Sequence, residues 1–293
     1  PNRVIEIAES GERQYCRLIA PNKCELEFMP YLALSHCWGK AATPTKTTMA
    51  SLASHRERIP LAALPRTFRD AIDVANALNI SYIWIDSLCI VQDDPEDWER
   101  EAARMASIYR NSYLTIAAVS AHNSSEGLFL DNPGSTKFID DPFDSDKGRR
   151  VYLLPFTRGA SKDSDPTHFW PLTSRAWTLQ ECLLSPRLLC FARDQIYWRC
   201  SRTFLSEDGT FQRHSSAALI HAEPEKSRLP LAGLLASYSP SDAFDIWCRW
   251  FSEYVERQLT IAEDRLPAWA GITWYYHTAT GYTPLVGCWK EDL

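Results

Sequence analysis

Residues 64–120 carry the clearest periodic pattern of apolar and polar positions in the chain. From Phe68 onward, apolar residues recur at the three- and four-residue spacing of an amphipathic helix. Thr67 is followed three residues later by Asp70, which matches a capping box, so we expect Thr67 to cap this helix. Asn79 is expected to end it, because Asn is common just after the last helical turn.

The pattern then changes to a run that is apolar almost throughout, at residues 82–91. A strand with one covered face would alternate, so this run predicts a strand buried on both faces, as in a parallel sheet. Pro95 after Asp94 predicts a second helix, which runs through Tyr109. Residues 113–119 predict another buried strand. Helices and strands that alternate with short connections indicate an α/β sheet.

A short strand is predicted at residues 31–35, and it leads directly into His36, Cys37 and Trp38. A glycine follows and permits a sharp turn of the backbone. Ligands of open α/β sheets bind at the carboxyl ends of the strands. The side chains of this segment, with Ser35, are therefore candidates for a binding or catalytic site.

The second half of the chain alternates between polar loops and shorter apolar segments. Ser174 is expected to cap a helix that carries Trp177 and Glu181 and ends before Pro186. Further elements are predicted as strands at 151–156, 188–191 and 195–200, polar surface loops at 122–148 and 161–171, and helices at 244–254 and within 264–272.

These elements predict one α/β domain over residues 1–240, with a mostly parallel sheet flanked by helices and with loop insertions. Residues 241–293 are predicted to form a helical extension packed on that domain. The sequence shows no internal repeat and no second composition regime.

The composition of the 293 residues is that of an ordinary globular protein, with 45% apolar and 23% charged residues. A net charge of −6 without a long Lys/Arg run argues against a nucleic-acid partner. No apolar run is long enough to span a membrane, and no secretory signal opens the chain. Nine cysteines without paired or zinc-type spacing indicate reduced thiols, no bound metal and a cytoplasmic location. Pro1 in place of Met indicates a trimmed or processed start.

Two carboxylates occur in apolar surroundings, where a charged group must be paired, protonated or functional. Asp86 interrupts the predicted buried strand. It either orients a histidine or holds a ligand hydroxyl, or it caps neighbouring backbone N–H groups. Glu101 lies at the edge of an apolar helix face, where it either binds a ligand or forms an ion pair with Arg100 or Arg104.

A histidine and two cysteines allow a different chemistry, in which a thiol nucleophile is activated by a histidine base. His36 would be the base, and Cys37, at a strand end, the nucleophile. Cys89 fits inert packing, because it lies within an apolar segment. Most of the eleven tryptophans are expected in the core, with Trp38 and Trp177 as candidates to stack on a flat ligand ring.

Three segments of the chain resemble the HET domain of fungal heterokaryon-incompatibility proteins. They are ALSHCWG at residues 33–39, the block at 64–120 with its core WIDSLCI, and SRAWTLQE at 174–181. Residues 259–267 also resemble a pattern that often follows this domain. The resemblance covers about residues 30–200, and its motifs are long and rich in tryptophan.

The resemblance implies an effector of cell death that is triggered when genetically different hyphae fuse. It also implies a TIR/flavodoxin-like fold, since HET domains are remotely similar to TIR domains. TIR domains cleave NAD with a Glu four residues after a Trp, on a helix that precedes a strand. Trp177 and Glu181 have this spacing, which makes Glu181 the candidate catalytic residue, with NAD as substrate or ligand and no required cofactor. Arg175, beside the amino end of that helix, is a candidate to bind a ligand phosphate.

Other roles are compatible with the same residues. Glu181 is alternatively a structural carboxylate paired with Arg175 or Arg187. The family usually has Arg directly after this Glu, whereas this chain has Cys182. The protein is alternatively a non-enzymatic signalling module that self-associates, or a stand-alone biosynthetic enzyme of fungal secondary metabolism that uses the same pocket for a small organic substrate.

Overall fold

The structure is a computed structural model. It describes residues 1–10, 13–22, 29–39, 45–130, 137–140, 150–153, 170–201, 203–209, 212–214, 239–285 and 288–292. Parts of the two predicted loops, at 131–136, 141–148 and 161–169, lie outside these residues, as do residues 154–156 of a predicted strand.

Within the described residues, ten strands form one sheet, and two small hairpins, β7–β8 and β13–β14, lie outside it. In chain order the strands are β1 (Val4–Ser10), β2 (Arg13–Ile19), β3 (Leu32–Ser35), β4 (Ile59–Pro60), β5 (Tyr82–Ile85), β6 (Leu114–Ala117), β7 (Lys137–Asp140), β8 (Arg150–Leu153), β9 (Arg187–Phe191), β10 (Ile196–Cys200), β11 (Thr203–Ser206), β12 (Gln212–His214), β13 (Pro284–Leu285) and β14 (Cys288–Trp289). The α-helices are α1 (Met49–Glu57), α2 (Arg66–Ala77), α3 (Asp86–Cys89), α4 (Pro95–Ala102), α5 (Met105–Asn111), α6 (Ala176–Leu184), α7 (Pro240–Glu256) and α8 (Arg265–Thr280).

Four parallel strands form the centre of the sheet, in the order β5-β3-β6-β9. The chain passes from β3 to β5 on one side and then to β6 on the other, so the strand order reverses beside β3. Second-first-third-fourth is the order of flavodoxin-like folds, in which ligands bind outside the carboxyl ends of the strands at the reversal. The topology therefore marks the ends of β3 and its neighbours as the place to look for a site.

The α/β class is confirmed, but the sheet is mixed and mostly antiparallel, not mostly parallel as predicted; parallel pairing is confined to its centre. Antiparallel strands extend both sides, with β1, β2 and β4 beyond β5, and β10, β11 and β12 beyond β9. The reason lies in the connections. Most of these outer strands follow one another after turns too short for a crossover helix, and such turns join only antiparallel strands.

Strand β5 ends at Ile85, earlier than the apolar run at 82–91 predicted. The chain then enters α3, a single helical turn in which Leu88 and Cys89 are fully buried. An apolar run that is buried throughout has no period, so its sequence does not distinguish strand from turn. Asp86 therefore does not interrupt a strand; it follows the carboxyl end of one.

Helix α2 forms as predicted, but its amino end is built differently. Pro65 is the N-cap, and Thr67 and Asp70 lie inside the helix. Their side chains accept hydrogen bonds from the backbone N–H groups of Gly127 (3.1 Å) and Leu128 (2.7 Å). The capping-box prediction is therefore wrong, because these two side chains anchor the segment that follows β6.

The structure also tests the predicted starts of helices α4 and α6. Helix α4 begins at Pro95, as the sequence predicted, and the Asp94 side chain caps it, but residues 103–104 form a turn that separates α4 from α5. Ser174 does not cap α6. Its hydroxyl donates to the carbonyl of Pro171 (2.7 Å), and the helix begins after Arg175, which supplies no side-chain cap.

The two predicted C-terminal helices, α7 and α8, pack against α6 through an aromatic cluster. The ring of Trp247 in α7 lies 4.8 Å from Trp269 and 4.9 Å from Tyr276 in α8, and 4.7 Å from Trp289. Buried leucines of α6 belong to the same cluster. Large aromatic side chains bury much apolar area, so this cluster fixes the position of α6.

Candidate functional site

The first two sequence blocks meet at the carboxyl edge of the central strands. Ser35 ends β3, and Asp86 follows the neighbouring strand β5. The Asp86 carboxylate accepts hydrogen bonds from the indole N–H of Trp38 (2.9 Å) and the backbone N–H of Ser87 (2.7 Å). One of its oxygens lies 3.9 Å from Nδ1 of His36. Asp86 therefore accepts a hydrogen bond from a backbone N–H group and also lies near a histidine.

His36 is buried, and its ring packs edge-on against Phe68 of α2 at 5.0 Å. Neither ring nitrogen has a hydrogen-bond partner among the described residues. Burial lowers the pKa of His36 to about 4; Asp86 opposes this shift, and Arg175 adds to it. The imidazole is therefore neutral near pH 7.

Glu181 lies on α6 and is 4% exposed. Burial raises the pKa of its carboxyl group to about 7. Arg175 and the hydroxyls of Ser35 and Tyr109 lower this pKa, whereas the Asp86 carboxylate raises it. A carboxyl group with a pKa near 7 populates both protonation states at physiological pH, a property shared by many catalytic carboxyl groups.

Consecutive side chains of an extended segment point to opposite faces of a sheet, and this alternation gives the site two sides. Ser35 faces α6, since its hydroxyl acts on the carboxyl group of Glu181. His36 faces α2, and Cys37 faces α6 again, where Glu181 raises the pKa of its thiol. Asp86, beyond the end of the neighbouring strand, acts on both His36 and Glu181.

This alternation disfavours the thiol-nucleophile hypothesis. The His36 ring packs against Phe68 of α2, whereas Cys37 belongs to a separate apolar cluster with Leu172 and Leu188. Burial raises the pKa of Cys37 despite the opposing charge of Arg175. Burial also raises the pKa of Cys89 to about 12, as expected for a cysteine that serves packing.

Arg175 connects the third sequence block to the first. Its guanidinium donates a hydrogen bond to the backbone carbonyl of His36, and its charge lowers the pKa of Glu181. Arg187, the alternative partner of Glu181, instead donates to the carbonyl of Tyr113 (2.6 Å) and lies over that ring. Segments more than a hundred residues apart therefore converge at one edge of the sheet.

Tyr109 of α5 belongs to the site, and the sequence analysis missed it. Its ring packs edge-on against Trp84 at 5.5 Å, and its hydroxyl donates to the carbonyl of Leu34 (3.2 Å). Burial and the nearby Glu181 carboxylate raise its pKa. The available signal was a hydroxyl on an apolar helix face, since a buried hydroxyl must find a partner.

Glu101 does not join this cluster. It is fully buried on α4, where burial raises its pKa and Arg3 opposes the shift. Its predicted ion pairs with Arg100 and Arg104 do not form between these described residues; Arg100 pairs with Asp97 instead (3.1 Å). A second buried carboxyl group therefore lies apart from the first.

Trp177 also points away from the carboxyl cluster. Its indole N–H donates to the carboxylate of Asp264 (3.1 Å), and its ring meets Trp98 edge-on at 6.4 Å. Through these contacts Trp177 joins α6 to α4 and to the segment before α8. The structure thus gives it a packing role.

A cavity lies at the carboxyl ends of β6 and β9. It has a volume of about 600 Å³, within the usual range for small-molecule sites. The residues along it include Ser120, His122, Trp170, Ser174 and Arg193. An arginine and a histidine suit phosphate, and an indole suits a flat base.

The described residues show no metal centre, that is, no group of three or more His, Cys, Asp or Glu side chains able to hold an ion. Eight of the nine cysteines lie in these residues and form no disulfide with one another, and Cys24 lies outside them. No helix in the described part of the chain is long and apolar enough to cross a membrane.

A comparison with protein families matches residues 31–181 to the family described as "Heterokaryon incompatibility protein (HET)". The match covers just over half of the chain and runs from the start of β3 to Glu181. It therefore includes all three converging blocks. No curated protein and no solved structure matches the chain.

Proposed function

This chain belongs to the heterokaryon incompatibility (HET) family. On that basis we propose that it is an effector of the cell-death type, which binds NAD and cleaves the bond between the ribose and the nicotinamide. The incompatibility-type role follows from the family. The activity on NAD is supported by the site and by the similarity of the Trp177–Glu181 spacing to that of TIR domains.

One observation carries the activity: Glu181 is a buried carboxyl group whose pKa is raised to about 7, at the edge where the strand order reverses. Structural carboxylates are usually paired directly with a cation. Glu181 instead has the hydroxyls of Ser35 and Tyr109 beside it. Arg175 lowers its pKa through the charge of the guanidinium group. Perturbed carboxyl groups of this kind are concentrated at functional sites.

The proposed reaction is hydrolysis of the glycosidic bond. The bond between ribose C1′ and nicotinamide breaks, and nicotinamide leaves as a neutral molecule with the electron pair. Water adds to C1′ and releases a proton. The sugar passes through a state of oxocarbenium character, and the Glu181 carboxylate stabilises its positive charge.

Access to Glu181 is proposed along Asp86 and Trp38. The side chain of Asp86 keeps 18% exposure, and Trp38 is half-buried, whereas His36 and Glu181 are almost fully covered. The remainder of the dinucleotide would occupy the cavity beside Trp170 and Arg193, because an indole and a guanidinium suit an adenine ring and a diphosphate.

Nicotinamide release from NAD tests this proposal with three proteins: wild type, Glu181→Gln and Glu101→Gln. We expect wild type to release nicotinamide and Glu181→Gln to be slower by about 10²–10³-fold, because the neutral amide has the shape but not the charge. Glu101→Gln is the matched control, a buried carboxyl group outside the site. Circular dichroism melts establish that each variant folds.

Two results would contradict the proposal. Full activity of Glu181→Gln would remove this residue from the reaction. Absence of release by wild type at high protein concentration would favour the non-enzymatic signalling role, or a biosynthetic reaction of another substrate in the same pocket. The presence of Cys182 after Glu181 makes the wild-type measurement the decisive first step.

A further inference from the structure

Three titratable side chains of the carboxyl cluster, Asp86, Glu181 and His36, differ in their access to solvent. The side chain of Asp86 is 18% exposed, whereas that of His36 is 1% exposed and Glu181 is 4% exposed. Burial has the largest effect on the pKa of His36 and of Glu181, and the charge of Asp86 raises both values. Asp86 is therefore the one of the three that water can contact while its charge still acts on the buried pair.

The hydrogen bonds of Asp86 fix its carboxylate and leave it able to accept more. Oδ2 accepts from the indole N–H of Trp38 (2.9 Å), and Oδ1 accepts from the backbone N–H of Ser87 (2.7 Å). Each carboxylate oxygen has two lone pairs, so each can accept one further hydrogen bond. Within the described residues its ion-pair neighbour is the neutral His36, at 3.9 Å, so no cation occupies these positions.

We propose that Asp86 is the general base that takes the proton from the attacking water. This inference rests on the proposed function, in which water adds to C1′ of the ribose. As the new C–O bond forms, one O–H bond of the water breaks and its proton passes to a carboxylate oxygen of Asp86. Nicotinamide leaves with the electron pair of the glycosidic bond. The exposed side of Asp86 then returns the proton to solvent.

The other two groups are less suited to this step. The His36 ring packs against Phe68, and both of its nitrogens are buried without a hydrogen-bond partner among the described residues. Glu181 is needed as an anion beside the positive sugar while the bond breaks. A second carboxylate that handles the proton is the division of roles that paired carboxylates show in glycoside hydrolysis.

Azide tests this role, because it is an anionic nucleophile with no proton to remove. Asp86→Ala should release nicotinamide from NAD about 10²-fold more slowly than wild type, since a general base typically contributes at least this much. Sodium azide should restore much of that rate, with ADP-ribosyl azide as the product by mass spectrometry, and should accelerate wild type little. If circular dichroism shows that Asp86→Ala does not fold, Asp86→Asn replaces it, because the amide has nearly the same shape but does not take the proton.

Trp38→Phe separates catalysis from a structural role of Asp86. It removes the indole N–H that Asp86 accepts, and it leaves the carboxylate in place. If Asp86 served only to hold Trp38, the two variants would be slowed alike and azide would accelerate neither. We expect azide to accelerate Asp86→Ala and not Trp38→Phe.

The possible failures are distinguishable. Release by Asp86→Ala at the wild-type rate, with Glu181→Gln still slow, would overturn this inference and leave the proposed function intact. A slow Asp86→Ala that azide does not accelerate would also overturn it, because Asp86 would then act through structure alone. A wild-type protein that releases no nicotinamide would refute the proposed function and this assignment together.

Discussion

Burial penalises the charged forms of both Glu181 and His36. Burial raises the pKa of Glu181 to about 7 and lowers the pKa of His36 to about 4. Arg175 acts on both groups. Near pH 7 the site therefore holds a neutral imidazole beside a carboxyl group that is poised between two states.

This arrangement predicts how stability depends on pH. An unfolded Glu titrates near pH 4.5, so folded Glu181 holds its proton up to a higher pH than the unfolded chain does. Its stabilising contribution is complete below about pH 4.5 and is lost as the pH rises through about 7. Compared with Glu181→Gln, wild type should lose up to roughly 3 kcal/mol of unfolding free energy between pH 5 and pH 8.

Urea denaturation of the two proteins at a series of pH values measures this difference. His36 has the opposite slope, because stability due to its lowered pKa is lost as the pH falls from about 6.5 towards 4. Both proteins share that contribution, so it cancels in the comparison. A difference between wild type and Glu181→Gln that stays constant from pH 5 to pH 8 would show that the carboxyl group titrates normally.

The sequence identified the residues that stand out chemically from their neighbours. Asp86, His36 and Glu181 were visible because each is polar within an apolar or strand-end context. Glu101 stood out in the same way, yet it lies apart from the cluster, and Tyr109 belongs to it without having stood out. Which side of a helix meets which strand depends on tertiary packing. The local sequence pattern therefore could not show that Tyr109 belongs to the cluster and Glu101 does not.

Helix α8 approaches α6 and α5 closely because Gly271 has no side chain. A Cβ atom there would lie 2.2 Å from Gln180 Oε1 and 2.5 Å from Ala106 Cβ. Glycine is unfavourable within a helix by about 1 kcal/mol compared with alanine, so this position gives up helix propensity for close packing.

Gly271→Ala should therefore destabilise the protein by about 1–3 kcal/mol, because the overlap forces α8 away from its neighbours. Chemical denaturation measures the change, with Thr278→Ala, exposed on the same helix, expected to shift stability by less than about 0.5 kcal/mol. Helix propensity alone predicts the opposite sign. A Gly271→Ala protein more stable than wild type would thus refute the close packing of α8.

Helices were predictable where one face is buried, and strand ends were predictable except where apolar residues continue beyond the strand. The spacing after Phe68 gave α2, and Asp94 gave the start of α4. The end of β5 at Ile85 could not be found, because apolar residues continue into the buried turn α3. Thr67 matched a capping box, but its hydroxyl accepts a hydrogen bond from the backbone N–H of Gly127, which is distant in sequence.

At the scale of the whole molecule, strand order gives the site its position. Four parallel strands place the ends of β3 and β5 together at a reversal of order, and the aromatic cluster of α7 and α8 holds α6 against them. The sequence predicted the parallel centre from its buried runs. The antiparallel pairing of the flanking strands needed the structure.

A crystal structure of the protein soaked with NAD tests most directly whether the three sequence blocks form one ligand site. We predict density for the dinucleotide, or for the ADP-ribose that its cleavage leaves, at the carboxyl ends of β3 and β5, with the ribose from the nicotinamide side beside Glu181 and Asp86 and the diphosphate near Arg193. Trp38 should move aside or stack on the ligand. A dinucleotide bound elsewhere on the molecule, or a site that stays empty at saturating NAD while Glu181 remains covered, would contradict the assignment of this edge as the functional site.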